Sequence, residues 1–147
     1  MQTQTDIHFE FDVPVSAELA YSAIARPQEW WIRDIAGETA APGGSFNVRF
    51  GGENSFVKFT VTDAQPVRRY VWHADDCFLP WFEDKTEWNG TDVIFDITPT
   101  AAGCSVSMVH RGLTPEVACY NACTAGWEKH FVTGLQKLIT DGVGMAQ

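Results

Sequence analysis

Of the 147 residues, His110 is the one best placed to do chemistry. It closes the run "CSVSMVH", whose alternation puts Val106, Met108 and His110 on one face of a strand, so the imidazole should point inward. An inward histidine beside a carboxylate can act as a general acid or base. A lone histidine of this kind is more often a hydrogen-bonded structural residue. Asp75, Asp76, Glu83, Asp84 and Glu87, around "DDCFLPWFEDKTEW", could supply the carboxylate if that loop lined a cleft. A solvated loop is the simpler reading. Between those acids sit Phe78, Leu79, Trp81 and Phe82, an apolar cluster suited to a lid over a cavity mouth or to a contact with a second subunit.

Metal and cofactor chemistry find no motif. Cys119 and Cys123 lie one helical turn apart, without the further ligands zinc needs and without a spacing that suggests a disulfide between them. There is no GxSxG, phosphate-binding loop, dinucleotide fingerprint or HExxH. No catalytic residue, metal or cofactor is assigned.

The stronger signal is aromatic. Six tryptophans and ten phenylalanines are many for this length, and Trp30, Trp31, Phe46, Phe59, Trp72, Phe95, Tyr120, Trp127 and Phe131 fall on every element. Most must be core. Rings with a few polar groups are also the usual lining of an apolar small-molecule pocket, so these residues, with Met108, His110 and Gly134, are candidate cavity positions.

Two glycines sharpen the question. The stretch "TPEVACYNACTAGWEKHFVTGLQKLITDG" reads as one helix over 115–140, with Thr114 as N-cap, Pro115 at the first helical position and Gly142 as its left-handed end. Tyr120, Cys123, Trp127, Phe131, Leu135 and Leu138 share one face, opposite Lys129, Thr133 and Gln136. Gly126 and Gly134 each weaken such a helix by roughly 1 kcal/mol relative to alanine. Gly134 opens a notch in the apolar face, and Gly126 lies at its edge. The notch admits either close backbone packing or a ligand.

The elements that position these residues follow from periodicity. "DIHFEFDV" alternates as a half-buried strand, and "VSAELAYSAIARPQEWW" gives two short helices broken at Pro27, the first capped by Ser16. After the "TAAPGG" turn, Phe46, Val48 and Phe50 and then Val57, Phe59 and Val61 form a hairpin across "GGEN". "RRYVWHA", "TDVIFDIT" (Val93, Phe95, Ile97) and "CSVSMVH" add three strands. The expectation is a single α+β domain over 1–147. About six antiparallel strands curve around a long C-terminal helix, which buries both apolar faces.

Composition bounds the function. A 45% hydrophobic, 20% charged chain has the balance of one ordinary globular domain. Nineteen acidic against ten basic residues give a net charge of −9, spread without blocks, so nucleic acid is not an expected partner. "MQTQTDIHFEF" has no basic segment and no apolar run, and no stretch is long enough to span a membrane. Four cysteines without CxxC spacing read as free thiols in a reducing cytoplasm.

The order of elements, with "FDVPVSAELAYSAIARPQEWW", "APGGSFNVRF", "WNGTDVIFDITPTAAGCSVSMVHRGL" and "CYNACTAGWEKHFVTGLQKLITDG", resembles the homologues of the activator of the 90-kDa heat-shock protein ATPase, within the START-like, helix-grip (SRPBCC) superfamily. The resemblance runs from about residue 7 to 142. It is most specific at Trp30-Trp31 after a proline, Pro42-Gly43-Gly44, His110 with Gly112, and Gly126-Trp127. It implies a helix-grip fold that often leaves an apolar cavity between helix and sheet, and it implies no particular reaction. Non-catalytic binding of a small apolar or aromatic molecule is the leading expectation. Its rivals are a co-chaperone-like interaction module, with a homodimer possible, and an enzyme of the cyclase or hydrolase type using His110. A chaperone partner is doubtful, because the activator carries an additional N-terminal domain that these residues do not match.

Overall fold

The computed structural model describes residues 6–52, 54–82, 84–113 and 120–146. Seven strands form one antiparallel sheet: β1 (Ile7–Val13), β2 (Ile35–Gly37), β3 (Ser45–Arg49), β4 (Phe56–Gln65), β5 (Arg69–Phe78), β6 (Asp92–Pro99) and β7 (Cys104–Arg111). Their order is β1-β7-β6-β5-β4-β3-β2. The strand beyond the expected six is β2, three residues long and without two full periods of alternation, so periodicity alone could not find it. It pairs with β3 through Ile35–Val48 and Gly37–Phe46. Bulges in the β4–β5 ladder, at Lys58/Phe59 and Val61/Asp63, bend the longest hairpin.

The alternation seen in the sequence is the alternation of burial. Val57, Phe59 and Val61 face the core from β4, as do Val93, Phe95 and Ile97 from β6 and Cys104, Val106, Met108 and His110 from β7. The opposite face carries polar residues around an apolar row of Val71, Ile94 and Val109, and there His73 Nδ1 lies 2.8 Å from Asp92 Oδ1, as its outward register requires.

Helix α1 (Ala17–Ile24) starts at Ser16, whose hydroxyl accepts from the Leu19 N–H. Helix α2 (Pro27–Trp30) is a single turn opened by its proline. The C-terminal helix has three segments: α3 (Tyr120–Trp127), a π-helical segment (Glu128–Leu135) and α4 (Gln136–Asp141). Trp127, Leu135 and Gln136 at the junctions keep right-handed helical dihedrals, so the rod is continuous. Gly142 ends it at φ 79° with its N–H on the Leu138 carbonyl, as expected. The expected start at Thr114 and Pro115 lies outside the described residues. The rod lays Cys123, Trp127, Phe131, Leu135 and Leu138 on the sheet, which is the helix-grip arrangement.

The space between helix and sheet is filled. The α2 turn drives Trp30 and Trp31 into the cup as a wedge, where Trp30 stacks on Trp72 at 6.2 Å and Trp31 on Trp72 at 5.9 Å. Phe46, Phe59, Phe95 and Phe131 close around them. Trp30, Phe46, Phe59, Trp72, Phe95, Met108 and Phe131 are all 0–1% exposed. These seven residues, expected as cavity positions, are packed as core, and the bulky pair on the α2 turn occupies volume between helix and sheet.

Candidate functional site: a cleft floored by indoles

An accessible concavity lies at the end of the helix–sheet sandwich rather than inside it. It has a volume of about 520 Å³ and opens to solvent. Four pieces of chain enclose it. The α2–β2 connection supplies Trp31, Ile32, Arg33 and Asp34; the end of β3 supplies Arg49, Phe50 and Gly51. The β5–β6 connection supplies Leu79, Trp81, Phe82 and Trp88, and the helix supplies Ala122, Cys123, Gly126, Trp127 and His130.

The floor is a cluster of indoles. Trp31 and Trp88 stack at 6.3 Å with their planes 20° apart, Trp88 and Trp127 at 6.0 Å and 18°, and Trp127 approaches Trp31 to 5.0 Å. Such pairs each contribute about 0.5–1.5 kcal/mol beyond their burial. The rim is softer: Trp81 is 50% exposed and packs edge-on against Phe50 and Phe82, at 5.7 and 6.2 Å. The β5–β6 loop is pinned beneath it by the Leu79 N–H on the Lys85 carbonyl at 2.7 Å and the Thr91 N–H on the Trp88 carbonyl at 3.0 Å.

His110 holds the floor in place. The Trp127 indole N–H can only donate, so at 3.0 Å from Nδ1 it fixes that nitrogen as the acceptor. The proton then sits on Nε2, which donates to Thr91 Oγ1 at 2.9 Å, and Thr91 passes its own proton to the Trp88 carbonyl at 2.7 Å. The imidazole also stands edge-to-face on Trp88 at 4.6 Å. Both nitrogens are committed and the residue is 0% exposed. Burial pushes its pKa down to about 3, and the nearby Asp92 opposes this only in part. This neutral histidine locks two floor tryptophans and has no lone pair left for a substrate.

Polar groups at the cleft are few. The Trp88 indole Nε1–H donates to Cys123 Sγ at 3.4 Å. His130 is held neutral, its pKa lowered to about 4 by burial and then by Lys129. Asp34 and Arg49 pair at 3.4 Å on the exposed rim. Asp75, Asp76, Asp84 and Glu87 are not among the lining residues, and Asp75 instead accepts from Thr60 Oγ1; Glu83 lies outside the described residues.

The two glycines have different surroundings. A Cβ at Gly134 would stand 2.9 Å from the Trp30 carbonyl oxygen, so the notch is filled by the backbone of the α2 wedge. A Cβ at Gly126 would meet nothing within 4 Å, because that glycine borders the cleft. Of the two readings of the Gly134 notch, the Trp30 carbonyl favours close packing. Of the twelve sequence candidates, Trp31 and Trp127 line the cleft, and half-buried Tyr120 does not. Trp88, Phe50, Arg33 and Arg49 were not foreseen. Trp88 sits in a turn without periodicity to aim it, and Arg49 reads as the outward residue of its strand.

The family model for Activator of Hsp90 ATPase homolog 1-like protein matches residues 14–140. The chain belongs to that family. No curated protein matches it in sequence. Among solved structures, the Aha1 dimer from Colwellia psychrerythraea superposes with a TM-score of 0.76 at 21% identity, covering 95% of this chain and 99% of that one. A protein from Staphylococcus saprophyticus gives 0.72 at 15% identity over 97% and 98%. A putative protein of the dynemicin biosynthetic locus gives 0.70 at 16% identity, with 97% of this chain on 49% of that one. These likenesses show the fold of this Hsp90-activator-like domain, and the described residues contain no helix long and apolar enough to cross a membrane.

Proposed function

We propose that this family member binds a small aromatic molecule without transforming it, in the cleft over Trp31, Trp88 and Trp127. The observation that carries the reading is the concavity itself. About 520 Å³ is the size of a small-molecule site, and of the three indoles in its floor Trp88 and Trp127 are braced by His110. Rigid planar walls suit a planar guest, since little side-chain entropy is lost when it stacks on them. The reading with His110 as a catalytic base loses its base, because Trp127 and Thr91 occupy both ring nitrogens. Buried free thiols at Cys77 and Cys104 fit a reducing, cytoplasmic setting.

The test is a titration with N-phenylnaphthylamine, an uncharged apolar fluorophore. Wild-type protein should bind it saturably with quenching of tryptophan emission, and Gly126→Leu should weaken binding at least tenfold while the fold stays cooperative. Binding that ignores Gly126→Leu would place the probe elsewhere and sink the proposal.

A second reading rests on Trp81. A half-exposed tryptophan beside Phe82 suits a protein contact, and a structural neighbour is described as a dimer. Here the loop would seat a second copy of the chain.

A further inference from the structure

We propose that the cleft selects aromatic anions over neutral aromatic molecules, with Arg33 as the residue that holds the negative group. The inference rests on the ligand-binding reading above and adds the chemical class of the ligand.

The charges at the cleft run against those of the protein. The chain carries 19 acidic and ten basic residues, yet the charged lining residues among those described are two arginines and one carboxylate, Arg33, Arg49 and Asp34. Asp34 is already engaged: its Oδ2 lies 3.4 Å from Arg49 Nε. The exposed Arg33 guanidinium has no ion-pair or hydrogen-bond partner among the described residues. It lines the cleft beside Trp31 and Ile32 and is exposed, so it borders the mouth of the site whose floor the indoles form. His130 adds no charge at neutral pH, since burial keeps it unprotonated. The site therefore presents an apolar planar floor bordered by one cation without a partner among the described residues.

That combination sorts ligands by charge. A carboxylate or sulfonate on a ring seated over Trp31 and Trp127 meets the fork of donors that guanidinium offers in the geometry such groups accept. A cationic aromatic would face two arginines. A neutral aromatic keeps the stacking and gains nothing from Arg33.

The experiment compares two probes with the same ring system, anilinonaphthalene sulfonate and N-phenylnaphthylamine, which differ by the sulfonate. At low ionic strength the sulfonate should bind about tenfold more tightly than the neutral probe, the order expected of one charge-assisted hydrogen-bonded pair. The advantage should shrink as salt is raised through the physiological range. Arg33→Gln, at an exposed position, should keep the melting temperature and the neutral probe's affinity, lose most of the sulfonate advantage, and be partly rescued by Arg33→Lys. If the neutral probe binds and responds to Gly126→Leu but the sulfonate binds no better, or Arg33→Gln leaves it unchanged, selection for anions is overturned and the binding site stands. If neither probe responds to Gly126→Leu, both fall together.

Discussion

His110 shows how one buried residue can serve a site without touching a ligand. Its folded pKa of about 3 lies below the ordinary value of 6.5, so the folded state favours the neutral ring and the unfolded chain takes up the proton first. The stability this supplies is complete above pH 6.5 and drains away as pH falls toward 3, by at most about 1.4 kcal/mol per pH unit. Urea melts at pH 7 and pH 5 should therefore differ by roughly 2 kcal/mol from this residue alone. His110→Gln, although less stable at pH 7, should show a flatter profile; an unchanged slope would mean that the imidazole is not the group titrating. Val67 offers a contrast. It sits at φ 72° in the β4–β5 turn, where a β-branched side chain is strained. Val67→Asn should raise the urea midpoint, by up to about 1 kcal/mol of stability, since asparagine tolerates the left-handed region.

Among the elements, the C-terminal helix carries two glycines with opposite work. At Gly134 the Trp30 carbonyl occupies the space a side chain would need, within a π-helical segment that widens the rod where α2 presses on it. Gly134→Ala should cost about 1–3 kcal/mol, as overpacking against backbone does. Gly126 has no such neighbour. Gly126→Ala should instead stabilise the helix by about 0.5–1 kcal/mol. Denaturant melts of the two alanine variants give a paired test: equal effects would mean that the packing described for Trp30 is wrong.

For the whole molecule, the question is whether the rim faces solvent or a second copy. If the Trp81 loop joins two chains, sedimentation velocity should give twice the monomer mass, and Trp81→Ser should return a monomer with an unchanged melt, because a half-exposed ring contributes little to the core. A wild-type monomer at high concentration would exclude the dimer and leave Trp81 as a rim of the cleft. The same variant weakens the neutral probe if the ring closes over the ligand, so mass and affinity together separate the two roles.

The sequence by itself determined the order of elements, the six longer strands, the amphipathic last helix and both capping residues that could be checked, because each rests on a local period or a local hydrogen bond. Ser16, Gly142 and the inward faces of β4, β6 and β7 needed nothing from distant residues. What only the tertiary structure decided is where the empty space lies. Trp30 and Trp31 were legible as aromatic and apolar, but not as a wedge that fills the cup, since α2 is one turn long and its direction is set by what it packs on. Periodicity places Gly134 on the apolar face and Gly126 at its edge, but not what stands opposite them, the Trp30 carbonyl in one case and open cleft in the other. Trp88, Arg33 and Arg49 reach the same cleft from three separate connections and strand ends. Periodicity reports which face a residue is on; a concavity is made by faces meeting, and that meeting is a property of the packed chain.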